Sequence, residues 1–259
     1  MLLNTDQNIY LVVLWVALSI TCLVLLNRIW APSRRRVHND VIGWQISIIG
    51  TIYAVMVGFM LYAVWANYQT AETNANSEAN ALINLYRSAD GLPQPERDQI
   101  QQSSRNYANA VITREWPEMD SLHVPRAGKV FVMQLWKVMT HTTAQSYSEQ
   151  ASLEQAMRQL STLTEHRRIR ILESETQMPT ILWAVLVAGG VIVIASSCLI
   201  GSENLALHFV LILALSLLIS LALVAIADID QSFQGGVHIS PKAFLRAQDT
   251  MQPPGSRTQ

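Results

Sequence analysis

The sequence predicts an all-α membrane protein with four transmembrane helices and a helical aqueous domain inserted between the second and the third. Three observations predict this class. Of the 259 residues, 50% are hydrophobic and 14% are charged, whereas soluble domains usually carry about 25% charged residues. The apolar residues are concentrated in four runs, each near the ~20 residues that a helix needs to cross a bilayer. The polar stretch between the second and third runs is poor in glycine and shows almost no strand-like alternation.

The first two runs define a membrane segment over residues 1–65, with helices at about 9–27 and 41–65. No cleavable signal pattern precedes the first run, so we expect a retained helix. The loop 28–40 carries four arginines, and short loops rich in Lys and Arg stay in the cytoplasm. The charge count therefore places this loop in the cytoplasm and the domain between helices two and three outside.

The aqueous domain, residues 66–178, is expected to begin as a continuation of the second membrane helix. No helix breaker occurs until Gly91 and Pro93, which predicts one helix of ~50 residues, roughly 75 Å long. A further helix opens at Pro95 and is expected to end at Pro117. Arg114 and Glu115, beside Trp116, predict a surface cluster at the end of this helix, and the alternative is a functional site. A longer helix follows over about 146–175.

The last two runs, in the segment 179–228, predict helices at about 180–200 and 205–227. Only four residues link them, which predicts a tight antiparallel hairpin. A C-terminal tail over 229–259 follows. Asp228 and Asp230 stand where the last run ends. Paired carboxylates make them a possible cation site, and the alternative is that they mark the exit from the membrane.

The sequence carries none of the motifs that would indicate catalysis or a cofactor, such as a phosphate-binding glycine loop, His-Glu-x-x-His or Gly-x-Ser-x-Gly. The six histidines are scattered one at a time. We therefore predict no enzyme, no catalytic residue, no metal site and no cofactor. A net charge of −1 offers no basic face for nucleic acid, so the expected surroundings are the lipid bilayer.

The second run carries the most informative pattern. At 100° per residue, small and polar residues share one face about 80° wide: Ser47, Thr51, Ala54, Gly58, Tyr62 and Trp65. This stripe continues through Gln69, and Glu72 follows on the same face in the aqueous domain. The opposite face is assigned to Ile49, Ile52, Met56, Phe59 and Met60. Such a stripe fits either close helix–helix packing or a face that lines a water-filled path in an oligomer. No run has an ionisable residue near its centre, which disfavours a proton pump and leaves passive conduction open.

Eight strings make the chain similar to one family: HNDVIG, GTIYAVMVGF, SEANALINLYRSADGLPQPER, YANAVITREWPEM, RRIRI, LWAVL, GSENLALH and DIDQSFQGGVHIS. Together they cover about residues 39–240 and resemble the bestrophin-like domain family of bacteria and plants. That family usually has Pro before the Phe of the last string, where this chain has Ser232 before Phe233.

The resemblance implies the same four-helix topology and a bacterial inner (plasma) membrane location. It also implies kinship with bestrophins, which are pentameric ion channels whose second membrane helix lines the pore and forms an apolar neck. A homo-oligomer passing small ions, with anions favoured, is then expected, and Ile52, Val55 and Phe59 become apolar alternatives to the polar stripe. Bestrophins place the middle domain in the cytosol, which opposes the charge count. The alternative function is a non-conducting membrane scaffold or sensor whose aqueous domain binds a partner.

Overall fold

The fold is described from a computed structural model, which covers residues 5–121 and 123–252, with side chains from Asn8 onward. The ends of the predicted membrane segment (1–4) and tail (253–259) lie outside the described residues. Within the described part the secondary structure is helical, without a strand, which confirms the all-α class. The helices are α1 (Thr5–Ile29), α2 (Pro32–Arg35), α3 (Asn39–Ser88), α4 (Glu96–Ala110), α5 (Trp116–Asp120), α6 (Lys129–His141), α7 (Tyr147–Glu175), α8 (Thr180–Cys198), α9 (Leu205–Asp230) and α10 (Lys242–Thr250).

The chain divides into two compact units. The membrane unit comprises residues 1–67, 177–231 and 235–237, and the aqueous unit comprises the remainder. Four helices, namely α1, α3, α8 and α9, are long and apolar enough to cross a membrane, as the sequence predicts. The chain is an integral membrane protein. Helix α3 runs unbroken for 50 residues, which confirms the continuous helix expected from the absence of a breaker.

Packing of a tyrosine ring against two glycines joins α3 to α8 in the membrane unit. The ring of Tyr53 on α3 lies against Gly189 and Gly190 of α8, and a Cβ on Gly189 would come within 2.6 Å of that ring. Glycine lets helices approach in a membrane because packing, rather than the hydrophobic effect, drives their association. On the other side of the bundle, Ser216 of α9 donates to the hydroxyl of Ser19 on α1 at 2.8 Å.

The two short membrane loops are clasped together. The side chain of Asn39 bonds both the N–H and the C=O of Gly201, each at 2.8 Å. Arg35 is fully buried and donates to the Cys198 carbonyl at 2.6 Å and to Asn27. One of the four loop arginines is therefore a structural tie between loops.

The aqueous unit is a helical bundle around one core, whose largest buried members include Leu82, Ile100, Tyr107, Leu135 and Leu160. The prediction that a helix ends at Pro117 is wrong. A π-helical turn (Val111–Glu115) joins α4 to α5, and Pro117 lies in the first turn of α5. Proline is tolerated there because the first turn needs no intrahelical N–H bond.

Gly201 generates a prediction about stability. A Cβ at this position would contact the Pro32 carbonyl oxygen and come within 2.7 Å of the Arg36 backbone nitrogen. Backbone atoms cannot move aside as a flexible side chain can, so we expect Gly201→Val to destabilise the protein by about 1–3 kcal/mol. Thermal unfolding of the purified protein in detergent measures the change. Gly43→Ala is the control because no atom lies within 4 Å of its added Cβ, and an equal loss in both variants would contradict the clasp.

Candidate functional site

The small and polar stripe of α3 is exposed along its whole length. Its seven members, Ser47, Thr51, Ala54, Gly58, Tyr62, Trp65 and Gln69, all lie at the surface of the single chain. No atom lies within 4 Å of a Cβ built on Gly58. The hydroxyls of Ser47 and Thr51 donate to the carbonyls of Gly43 and Ser47 at 2.9 and 2.7 Å, so their oxygens keep free lone pairs.

The face opposite the stripe is the packing face of α3, with one difference from the sequence assignment. Ile49, Met56 and Met60 pack against the membrane core as expected. Ile52 and Phe59, assigned to that same face, are instead 57% and 69% exposed. At 100° per residue these two lie 140° and 120° from Ser47, on the flank of the stripe. The apolar alternatives Ile52, Val55 and Phe59 therefore share one exposed surface with the polar stripe.

Asp228 and Asp230 use their carboxylates to fix backbone. Asp228 accepts the N–H groups of Gly236 and Val237, each at 3.0 Å, and Asp230 accepts that of Met178 at 3.1 Å. No group of three or more His, Cys, Asp or Glu side chains that could hold a metal occurs in the part of the chain that the structure describes. The pair carries negative charge at the end of α9.

An ionic cluster lies at the centre of the aqueous unit. Arg170 on α7 bonds Glu78 of α3 at 2.7 Å and Glu115 at 2.8 Å, and all three side chains are fully buried. Arg167 bonds the other oxygen of Glu115 at 2.5 Å, and the Tyr107 hydroxyl donates to Glu78. The two arginines and two carboxylates neutralise each other, as burial requires.

The surroundings of the cluster set its protonation. Burial raises the pKa of Glu115, but Arg170 and Arg167 lower it by more, so the pKa lies below its ordinary value of 4.5. Burial, together with the charge of Glu78, raises the pKa of Tyr107 well above its ordinary value. The guanidinium of Arg170 also lies 5.3 Å from the ring centre of Trp116 and 5.7 Å from that of Phe244, within the range of cation–π attraction.

The expectation that Glu115 lies at the surface is wrong. The π-helical turn carries it inwards, and its carboxylate also accepts the backbone N–H of Gly128 at 2.8 Å. Its partners on α7 are more than 50 residues away in sequence, so local polarity gave a misleading signal. Glu78 was also missed, although the sequence holds a signal for it: Glu78 lies seven residues after Ala71 and seven before Leu85, both of which are buried.

A second polar cluster joins α3 to α7 in the aqueous unit. The amide of buried Asn74 donates to the His166 carbonyl at 2.9 Å and to Glu173 at 3.3 Å, and its oxygen lies 2.6 Å from the Nδ1 atom of His166. Burial raises the pKa of Glu173 to about 7, although the Asn74 bond lowers it in part. This carboxyl therefore changes charge near neutral pH.

Comparison with known proteins identifies the family. The profile of the Bestrophin-like domain matches residues 13–244. The chain belongs to the Bestrophin-like family. The fold of this Bestrophin-like chain is shared by a bacterial Bestrophin homolog from Klebsiella pneumoniae, whose crystal structure was solved by Zn-SAD phasing. The two sequences are 12% identical, and the superposition covers 94% of this chain and 96% of the homolog with a TM-score of 0.65.

Two single-residue mutants of that homolog from Klebsiella pneumoniae also share the fold of this chain. One has 12% identity and a TM-score of 0.65, with 95% of this chain and 97% of that chain covered. The other has 10% identity and a TM-score of 0.67, with 95% and 99% covered. No curated protein sequence matches the chain. At this identity the likeness extends to the fold over nearly the full length of both chains.

The buried cluster of the Bestrophin-like chain predicts that substituting two different arginines of α7 lowers the free energy of unfolding by very different amounts. Arg170→Met leaves Glu78 and Glu115 buried without their shared partner, which should cost about 3–5 kcal/mol. Arg168→Met removes only an exposed pair with Glu165, and exposed pairs of this kind contribute little, so the stability should stay close to that of the wild type. Chemical denaturation of the purified protein, followed by tryptophan fluorescence, measures both. Similar losses in the two variants would mean that the cluster does not stabilise the aqueous unit.

Glu173 predicts that the protein becomes less stable as the pH rises. A carboxylate in an ordinary ion pair has the opposite effect. Its pKa of about 7 in the folded state exceeds that of an unfolded Glu, about 4.3, so the folded state binds the proton more tightly. Stability should therefore fall as the pH rises through this window. Glu173→Gln keeps an acceptor for Asn74 without the charge, so we expect a higher unfolding temperature than wild type at pH 8 and no difference at pH 5. Glu175→Gln, exposed on the same helix, is the control, and a gain that is equal at both pH values would contradict the assignment.

Proposed function

We propose that the protein is a homo-oligomeric, bestrophin-like ion channel that conducts ions passively along the exposed face of α3, with anions favoured over cations. One observation carries the proposal. Within the membrane unit, the stripe from Ser47 to Trp65 points away from the core of its own chain, which α3 contacts through Ile49, Tyr53, Met60 and Val64. Small and hydroxylated residues turned away from the helix's own bundle are typical of a face that packs against another helix or lines a water-filled path.

A ring of copies satisfies both requirements. Each copy would contribute the same residues to a central path, so one turn of α3 becomes one ring of side chains. The stripe is bounded on one flank by Ile52, Val55 and Phe59, whose exposed side chains can pack against the next copy or narrow the path. Hydrophobic constrictions of this kind gate pores without any charge. By analogy with the pentameric bestrophins, we propose that five copies form the ring.

The charge pattern supports passive conduction. Residues 41–71 contain no Asp, Glu, Lys or Arg, so this stretch of α3 has no charged ring and no group that could carry a proton across. The exposed carboxylates of Asp40 and Glu72 lie just beyond its two ends. Anion preference rests on the family resemblance, and the path itself supplies dipoles and apolar walls.

A non-conducting scaffold or sensor is the second candidate, and bulky rings on the stripe favour it. Tyr62 is 71% exposed and Trp65 is 44% exposed, and several copies of such rings around one axis could close it. The same helix would then pass a signal between the membrane and aqueous units. A particle image that shows α3 helices packed without an axial path would support this candidate.

Flux through liposomes tests the channel directly. The purified full chain, reconstituted and exposed in turn to chloride, sodium and potassium gradients, should dissipate at least the chloride gradient, and a reversal potential then ranks the ions. Permeation of sodium or potassium in preference to chloride would overturn the anion preference alone. Silence toward all three ions would overturn the channel.

The stripe predicts which substitutions block that flux. Thr51→Trp and Gly58→Trp place a large ring on the exposed face and should reduce flux about tenfold or more by filling the path. Leu218→Trp adds a similar ring to α9 at a position that is 67% exposed, and should leave the flux near the wild-type value. Size-exclusion chromatography checks that each variant keeps its oligomer. Equal block by all three substitutions would remove the assignment of α3 to the path.

A further inference from the structure

The membrane unit contains a groove that the conduction proposal does not use. It has a volume of about 680 Å³, lies between α1, α8 and α9, and no residue of α3 lines it. Its volume falls in the range of about 300–1,000 Å³ that small-molecule sites occupy. An assay of this groove is therefore independent of ion flux.

The polarity of the groove changes along its length in the same direction on two helices. On α9 the lining runs from Leu223 and Val224 to Asp228 and Asp230, and on α8 it runs from Val187 to Thr180 and the preceding Gln177. Because α9 ends where α8 begins, both polar ends meet at the same end of the membrane unit. The groove thus has apolar walls within the membrane span and a polar collar at its boundary.

The collar carries the negative charge of the groove. Asp228 and Asp230 belong to the lining, and no Lys, Arg or His is among the lining residues. Backbone N–H groups hold both carboxylates in place, and each carboxylate oxygen can accept further hydrogen bonds. This chemistry selects a positively charged donor.

We propose that this groove binds a membrane phospholipid with a primary ammonium headgroup, of the phosphatidylethanolamine class. The ammonium donates to Asp228 and Asp230, and an acyl chain lies along the apolar wall. The ring of Trp15 forms part of that wall. An anionic headgroup, by contrast, meets two carboxylates and is repelled.

Native mass spectrometry of the purified full chain tests the headgroup. The protein is incubated with equimolar phosphatidylethanolamine and phosphatidylglycerol that carry identical acyl chains. Wild type should retain the ethanolamine lipid about tenfold more than the glycerol lipid, which corresponds to about 1.4 kcal/mol. Asp228→Asn and Asp230→Asn should each weaken that preference and together abolish it. Asp40→Asn, a carboxylate of the membrane unit outside the groove, is the matched control and should retain it.

A variant that changes no charge tests whether the lipid occupies the groove, and it serves if the Asp228 and Asp230 variants fail to fold. Ala227→Phe fills the groove beside the collar without changing charge, so it should lose the bound lipid, whereas Ala206→Phe at the exposed start of α9 should keep it. Equal retention of the two lipids by wild type overturns the proposal, as does lipid retention that Ala227→Phe does not change. A wild-type oligomer that retains neither lipid also overturns it, because another copy of the chain then covers the groove.

Discussion

The continuity of α3 constrains everything else in the molecule. Positions 57, 64, 71, 78 and 85 recur every seven residues and all face a core, as Val, Val, Ala, Glu and Leu. Seven residues make almost two whole turns, so one side of the helix stays turned inwards from the membrane unit into the aqueous unit. In the membrane unit the inward side of α3 presents Val57 and Val64, and in the aqueous unit it presents Ala71, Glu78 and Leu85.

The burial of Glu78 in turn organises the aqueous unit. A buried carboxylate needs a cation, which α7 supplies as Arg170. That guanidinium has donors to spare, so it also fixes Glu115 at the end of the π-helical turn. The rings of Trp116 and Phe244 then cover it. One polar residue at a core position of α3 thus determines how α4, α7 and α10 pack, while an apolar residue there would leave their arrangement to shape alone.

The parts of the fold that could be predicted are those set by local chemistry. Hydropathy locates the four spans because each span must by itself be long and apolar enough to cross the bilayer. The lack of a helix breaker predicts the 50-residue helix. The buried charges could not be predicted in this way. Arg35 bonds a carbonyl 163 positions away and Glu115 an arginine 55 positions away, so in sequence both resemble ordinary surface charges. The helical wheel puts Ile52 and Phe59 on the face opposite the stripe, but a wheel gives angles without showing where the core ends, and both side chains are exposed.

The distribution of charge also determines what kind of selectivity α3 can produce. The fixed charges of the aqueous core are tied in pairs, and residues 41–71 carry none. In the proposed channel, discrimination between ions along this stretch would come from dipoles and from the width of the path. The hydroxyl protons of Ser47 and Thr51 are already donated to carbonyls of their own helix. A cation could approach their lone pairs directly. To bind an anion, both hydroxyl protons must turn towards it. Each hydroxyl then loses its hydrogen bond to the helix carbonyl, at a cost of about 1 kcal/mol per bond. If the proposed channel conducts anions along this face, their passage is therefore favourable only where the ion returns that energy by accepting both hydroxyl protons.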